Sequence, residues 1–403
     1  MKDKQLVYLF FCNFAVFFIG GALLPLLPLY AMGLGASRTV AGFYLAIIFL
    51  AITAGTILSG RLAERLSRKS LFVGAGALGV PMLILHEYAT ALWHLFFLTS
   101  VVWFCAGIGT ALVSVFVGAQ ADTKRRGKLF GLMFLARPLG SVFGGLAAGQ
   151  LVAWHGYPLL FAVLATVWAG WPVIALLRVE YGLIAGPVRG EKAATVNRSR
   201  PGWTFQVLLL VTFLSTTMVY FGRLGTFLSM ESLNFAPQAV ANTAAAGALF
   251  TIPITLLIGP LSDRLGRKIL LILCYLLAAA GALMLNEASQ FWHFGLVTVL
   301  LLATNSANGA VATAFATDLL DPKTMSRGLP WLNGMTWIGG VIGFAGAGYI
   351  IDNLGPATLY HLAVGLSLLA ALLVGLLSHQ GGLVRPELPS WRVVKIALAH
   401  RKA

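Results

Sequence analysis

The sequence predicts an all-α polytopic membrane protein, with twelve transmembrane helices arranged as two pseudo-symmetric six-helix bundles. Three observations predict it. Of 403 residues, 59% are hydrophobic and 10% are charged, against roughly 25% charged in an average soluble domain, so the chain lacks the polar surface needed to face water. Twelve apolar stretches each approach the ~20 residues that an α-helix needs to cross a hydrocarbon core of ~30 Å. A charged segment between two of them, Gly60-Arg61-Leu62-Ala63-Glu64-Arg65-Leu66-Ser67-Arg68-Lys69, returns as Gly259-Pro260-Leu261-Ser262-Asp263-Arg264-Leu265-Gly266-Arg267-Lys268, 199 residues on (259 − 60). Chance does not place a polar pattern of this length twice in register, so the chain reads as a duplicated membrane unit, an arrangement typical of transporters.

The elements follow in order. The first apolar run, 5–31, comes after Met1-Lys2-Asp3-Lys4 and continues through Pro25 and Pro28. It is too long for a signal-peptide core and lacks a small-residue cleavage site, so it reads as span 1. Spans 2 (38–60) and 3 (70–89) flank the first charged motif. Spans 4 (91–121) and 5 (128–153) flank Asp122, Lys124, Arg125 and Arg126, and His155-Gly156 separates span 5 from span 6 (157–178). Residues 179–202, with Pro187, Gly190 and several basic side chains, read as a cytoplasmic linker. Spans 7 to 12 are expected at 203–230, 237–262, 268–286, 291–317, 328–351 and 357–378. The domains are therefore 1–178, the linker 179–202, 203–378 and a cytoplasmic tail 379–403. In that tail Trp391, Val393 and Ile396 alternate with Arg392 and Lys395; an amphipathic helix on the inner leaflet and a frayed end both fit.

The formal charge of +15 raises the question of nucleic acid, and its distribution answers it. Basic residues fill gaps 2–3, 4–5, 8–9 and 10–11, whereas the alternate gaps hold only Arg38. This is the positive-inside pattern, which places both termini in the cytoplasm and the chain in the cytoplasmic (inner) membrane, with no nucleic-acid partner. Cys12, Cys105 and Cys274 lie in apolar runs without CxxC spacing and read as core residues. His86, His94, His155, His293 and His361 fall near the outer face at no metal-binding spacing; they read as interfacial, and no metal or cofactor is expected. The chain has no Gly-x4-Gly-Lys-[Ser/Thr] loop, nucleophile elbow or His-Glu-x-x-His, so neither ATP-driven transport nor an enzyme is expected.

The paired motifs resemble the loop 2–3 signature of the major facilitator superfamily, Gly-x-x-x-Asp-Arg-x-Gly-Arg-Lys. The second copy matches at every defined position, while the first has Glu64 for Asp and Ser67 for Gly. The resemblance implies a conformational latch on the cytoplasmic side, built from Gly60, Glu64, Arg65, Arg68 and Asp122 in one half. Its counterpart would use Gly259, Asp263, Arg264, Arg267 and Asp318. Such a carboxylate can meet the positive N-terminus of a neighbouring helix and pair with adjacent arginines; ordinary loop charges are the plainer alternative. In span 5, Gly131, Gly140, Gly144 and Gly149 resemble the glycine pattern of twelve-helix drug antiporters, with Gly145 where that pattern has Pro. Glycines so spaced let helices approach closely, and generic small-residue packing remains the other possibility. Span 1 ends Gly20-Gly21-Ala22-Leu23-Leu24-Pro25, also as in those exporters. Trp103, however, stands where proton-coupled members carry Arg, which departs from family-style proton coupling.

A charge at membrane depth is costly unless it faces a cavity or partner, so ionic residues inside spans are the first substrate-binding candidates. There are two, Arg137 in span 5 and Arg223 in span 7. No carboxylate lies at comparable depth, which points to an anionic ligand; bonding to helix carbonyls or snorkelling outward is the alternative. Thr216 and Tyr220 share the side of span 7 that carries Arg223, and Asn305 and Asn308 are paired at i, i+3 on span 10. Asn13, Asn333 and Trp103 complete the set of candidates. Interhelical hydrogen bonds and core packing compete with ligand contact for each of these.

The resemblance implies a secondary transporter of a small molecule that works by alternating access as a monomer in the lipid bilayer, with or without a coupling ion. Efflux of small amphipathic compounds or metabolites is the leading expectation, because spans 1 and 5 carry whole-helix exporter patterns. An organic-anion uniporter, symporter or exchanger using the two arginines is the alternative. A non-transporting lipid scramblase or sensor on the same scaffold is the third.

Overall fold

The computed structural model describes residues 2–120, 126–179, 202–320 and 322–377. The predicted linker core (180–201), the tail beyond 377, Asp122 and Asp321 lie outside the described residues.

Every described element is helical. Span 1 is α1 (Lys2–Leu23), extended by a short α2 (Leu27–Gly33). The interruption falls at Pro25 and Pro28, because each proline lacks an amide donor and crowds the preceding turn. Spans 2, 3 and 4 are α3 (Arg38–Arg65), α4 (Arg68–Leu85) and α5 (Leu92–Gln120). Spans 5 and 6 form α6 (Arg126–Arg178), which carries non-helical dihedrals at His155 (φ −139°, ψ 17°) and Gly156 (φ 73°, ψ −164°). A helix of this length would measure roughly 80 Å against a core of ~30 Å, so the break at Gly156 divides two crossings. In the second half, spans 7, 8 and 9 are α7 (Trp203–Ser232), α8 (Pro237–Leu265) and α9 (Arg267–Asn286). Span 10 is α10 (Phe291–Ala307), a π-helical turn at Asn308–Ala312, and α11 (Thr313–Leu319). Spans 11 and 12 are α12 (Pro322–Leu354) and α13 (Pro356–Leu376).

The duplication is visible in local geometry. Gly156 (φ 73°) and Gly355 (φ 84°) are 199 residues apart (355 − 156), and each opens the last helix of its half in the left-handed region that glycine tolerates. In the repeated charged motif the two copies solve the same turn differently. Gly266 turns with φ 89°, whereas Ser67 keeps φ −61° and accepts a bond from the Ser70 amide at 3.0 Å. A serine N-cap has replaced a glycine turn.

Packing follows the same two-fold plan. Within the first half α1 packs on α6, α3 on α5 and α4 on α6; within the second, α7 packs on α12, α8 on α10 and α9 on α13. Gln5 Nε2 donates to the Arg178 carbonyl at 2.8 Å, joining the two ends of the first bundle. Lys268 Nζ donates to the carbonyls of Gly375 (2.6 Å) and Leu377 (2.8 Å), capping the last helix of the second. Trp168 Nε1 donates to Gly76 O at 2.8 Å between spans 6 and 3. His86, expected at the interface, is instead fully buried: its ring nitrogens bond the Met82 carbonyl (2.7 Å) and Thr99 Oγ1 (2.9 Å), and Thr99 also meets Tyr44 Oη at 2.6 Å. With both nitrogens partnered, the imidazole fits the core.

The bundles meet along two seams related by the duplication, α3 against α12 and α8 against α6. Both seams lie in the halves of these helices remote from the termini. Gly42 lies against the Phe344 carbonyl and Gly348, and Gly348 against the Arg38 carbonyl; Gly145 meets Ala241 and Ala245, and Gly149 meets Asn242 and Gln238. At the mouth of the first seam Asp352 Oδ2 accepts from the Thr39 amide (2.6 Å) and from Thr39 Oγ1 (2.7 Å). A carboxylate from one bundle thus sits on the helix N-terminus of the other.

Candidate functional site

Between the bundles, the seams converge on an aromatic group at mid-membrane depth. Phe49 of α3 meets Tyr220 of α7 at a centroid distance of 5.0 Å, Phe344 at 5.1 Å and Trp337 at 5.9 Å, the last two on α12. Tyr220 and Phe344 are 4.8 Å apart. One ring from the first bundle therefore packs among three from the second, and Gly340 and Gly343 on α12 give Phe49 and Tyr220 the room to do so.

Next to this group stand the two arginines. Arg137 is eleven residues into α6 (137 − 126), or about 16 Å along the helix. Its neighbours in direction on α6, Ser141 and Gly144, pack on Gly21 and Phe18 of α1, whereas Gly145 and Gly149 further round the helix touch α8, so Arg137 lies on the α1 side of α6. Its guanidinium is exposed and lies 5.9 Å from the Phe17 ring centroid. Arg223 is nine residues before the end of α7 (232 − 223). It is half-buried between the buried Gly222 and Leu224, and its guanidinium lies 5.6 Å from the Tyr220 ring centroid. Arg137, from the other bundle, is near enough for its like charge to oppose that of Arg223. Each arginine is thus held against an aromatic ring, without an acid beside it among the described residues.

The other candidates divide. Thr216 is buried beside Arg223's helix face, and its Oγ1 accepts from Asn308 Nδ2 at 3.4 Å. Asn308 Oδ1 accepts from Tyr275 Oη at 2.9 Å, so this amide braces spans 7, 9 and 10 at the π-helical turn. Asn13 Nδ2 donates to the Met133 carbonyl at 3.4 Å, bracing spans 1 and 5. Trp103 is 7% exposed and lies within the core of the first bundle. Asn305 is half-buried on α10 and Asn333 exposed on α12. Gly140 and Gly144 press on Phe17 and Phe18 of α1, while Gly149 joins the bundle–bundle seam; Gly131 lies on the same helix.

At the terminal face, Arg267 Nη1 pairs with Asp318 Oδ2 at 2.6 Å. Gly259 and Asp263 lie near the end of α8, and Asp122 lies outside the described residues. Glu64 and Arg65 are exposed and Arg68 half-buried at the α3–α4 turn, with Gly60 one turn earlier; Arg264 is exposed. No group of three or more potential metal ligands occurs among the described residues.

Sequence reasoning missed Phe49, Phe344, Thr39, Asp352 and the seam glycines Gly42 and Gly348, and it singled out Gly145 only as a departure from the span 5 pattern. A signal for Gly348 was present in the small-residue run Gly339-Gly340-Val341-Ile342-Gly343-Phe344-Ala345-Gly346-Ala347-Gly348, because such runs allow close helix contact in membranes.

Twelve crossings in two related bundles, with an aromatic cluster where they meet, two arginines at membrane depth and paired seams closing one side, define a secondary transporter of the alternating-access class. The sequence matches the profile described as Major Facilitator Superfamily over residues 9–235 and 208–400. The chain belongs to the Major Facilitator Superfamily. Among curated proteins it is similar to the Multidrug resistance protein MdtG of Proteus mirabilis (strain HI4320), 23% identical over 380 residues, covering 89% of this chain and 92% of that protein. The protein of the same name from Serratia proteamaculans (strain 568) is 24% identical over 315 residues, covering 74% of each. Its fold matches the crystal structure of a mutant of the nucleoside transporter NupG, with TM-score 0.73, 15% identity and coverage of 92% of this chain and 99% of that one. It likewise matches a bacterial homolog of the human lysosomal transporter Spinster in an inward-facing and occupied conformation, with TM-score 0.72, 15% identity and coverage of 93% and 96%.

Proposed function

We propose that this protein is an exporter of small amphipathic compounds or metabolites in the cytoplasmic membrane, working as a monomer with both termini in the cytoplasm. The observation that carries the reading is the asymmetry of the bundle–bundle contacts. The seams at Gly42–Gly348 and Gly145–Ala245 close the face remote from the termini, while Gly60 and Gly334, towards the terminal ends of α3 and α12, meet nothing within 4 Å. A site in this state is loaded from the terminal side, and the basic loops favour that side as cytoplasmic. The multidrug names of the relatives from Proteus mirabilis and Serratia proteamaculans favour the outward direction, and the aromatic lining suits ligands with an apolar body.

In this cycle the units 1–178 and 203–378 rock against each other, joined by the linker 179–202. The repeated motifs act as the counterweight to the outer seams. Glu64 and Arg68 with Asp122, and Asp263 and Arg267 with Asp318, would hold the terminal face when it closes; Arg267 is already positioned against Asp318 at 2.6 Å within the second bundle. Cells producing the chain are expected to retain less of a panel of fluorescent amphipathic compounds than cells lacking it. Equal retention across the panel, with the protein present in the membrane, would refute efflux.

A further inference from the structure

We propose that the exported compound is an amphipathic organic anion, held by Arg137 and Arg223 together, and that its own charge drives its exit on the membrane potential. The proposal rests on the exporter reading and specifies its substrate and its energy source.

The first observation is placement. Of all the charged side chains in the described helices, only Arg137 and Arg223 stand more than two turns from a helix end. They come from opposite bundles, Arg137 over the Phe17 ring of α1 and Arg223 beside Tyr220, which packs across the bundle boundary on Phe49, and Arg137 is near enough for its like charge to oppose that of Arg223. Two like charges so placed repel, and closing the bundles around them unneutralised is unfavourable in a low-dielectric core. An anionic group of planar or tetrahedral shape between two guanidiniums removes the repulsion and accepts charge-assisted hydrogen bonds from both. Trp337, half-buried beside Phe49, offers a ring to the apolar remainder of the ligand.

The second observation is what the membrane interior lacks. The chain has 13 Asp and Glu, and each one within a described helix lies within two residues of that helix's end. The histidines also fall towards helix ends or in the tail; His361 is five residues into α13 and His86 is buried in the outer half of the first bundle. Among the described residues, no carboxylate therefore stands at the site to load a proton on one side and release it on the other. An anion needs none. With the cell interior negative, each exported negative charge moves down the electrical gradient, and a monovalent anion is distributed about tenfold for every ~59 mV.

The test uses the full chain in phosphatidylcholine vesicles, so that the added probe is the only amphipathic anion. Radiolabelled naphthalene-2-sulfonate supplies a permanent negative charge, and N-methylquinolinium is a cation of similar ring size. A potassium gradient with valinomycin sets the potential. Naphthalene-2-sulfonate is expected to accumulate on the positive side, by about tenfold for a tenfold potassium gradient, and to reverse when the gradient is reversed. Arg137→Gln and Arg223→Gln are each expected to lower its flux at least about tenfold, with partial retention in Arg223→Lys. Arg137 is exposed, so Arg137→Gln keeps the test open if Arg223→Gln fails to fold. Sulfonate flux that ignores the potential, or that survives both glutamine variants, overturns the proposal. Movement of N-methylquinolinium without the sulfonate also overturns it and leaves the exporter reading standing; movement of neither probe removes both.

Discussion

Gly42 is the position at which a single methyl group should change the balance between conformations. A Cβ built there would lie 2.5 Å from the Phe344 carbonyl oxygen and 3.0 Å from Gly348 Cα. Ordinary contact begins near 3.4 Å, so α3 and α12 must part by about 0.9 Å (3.4 − 2.5) to admit it. The obstructing atoms are backbone, and no side-chain rotation relieves them. Overpacking of this kind costs about 1–3 kcal/mol, and the cost falls on the state in which the outer seam is closed. The ratio of outer-closed to outer-open molecules should fall by about 5–150-fold in Gly42→Ala. Spin labels at the exposed residues Tyr88 and Trp292, one on each bundle, would report it as a new long-distance population. Gly20→Ala serves as the control, since its Cβ meets nothing within 4 Å. Combining Gly42→Ala with Gly348→Ala should add less than the sum of the two, because both crowd one contact. An unchanged distance distribution in Gly42→Ala would refute the claim that this seam is the closed gate.

Three further predictions concern individual bonds. Asp352→Asn weakens the clasp on the Thr39 amide and hydroxyl; being exposed and screened, it should cost only about 1 kcal/mol and raise the outer-open population severalfold by the same spin-label measurement. Trp168→Phe removes the 2.8 Å bond to Gly76 O in the core and should lower unfolding stability by about 1–2 kcal/mol, read as a lower melting temperature with transport otherwise retained. Arg267→Gln breaks a pair whose side chains are 25% and 47% exposed, a loss of about 0.2–1 kcal/mol. Its melting temperature should stay close to wild type while transport slows; a large drop in melting temperature would mark the pair as structural rather than part of a latch.

Much of the architecture was legible in the residues themselves. Within a hydrocarbon core every backbone amide must be satisfied inside its own segment, so apolar length alone placed the spans, and most ends fell within about one helical turn of the observed ones. The interruption of span 1 and the greater inner reach of span 11 were not legible, because proline geometry and helix ends depend on local packing. The duplication was equally visible, and Gly156 and Gly355 carry it down to matching backbone dihedrals.

The site was legible only in part. Arg137 and Arg223 stood out because an ionic side chain at membrane depth is costly in any fold. Sequence position put them in opposite bundles but could not say which rings they lie against, nor that Asn308, Asn13 and Trp103 are occupied in bracing or core packing. What the sequence by itself determined was the number of crossings, their duplication and the presence of two costly charges, since each follows from transfer of single segments into lipid. What only the tertiary structure decided was which helices face each other: the α3–α12 and α6–α8 seams, the Phe49–Tyr220 contact and the Thr39–Asp352 clasp. Those last two join residues 171 and 313 positions apart (220 − 49; 352 − 39), and no local preference encodes a pairing that depends on how two bundles dock.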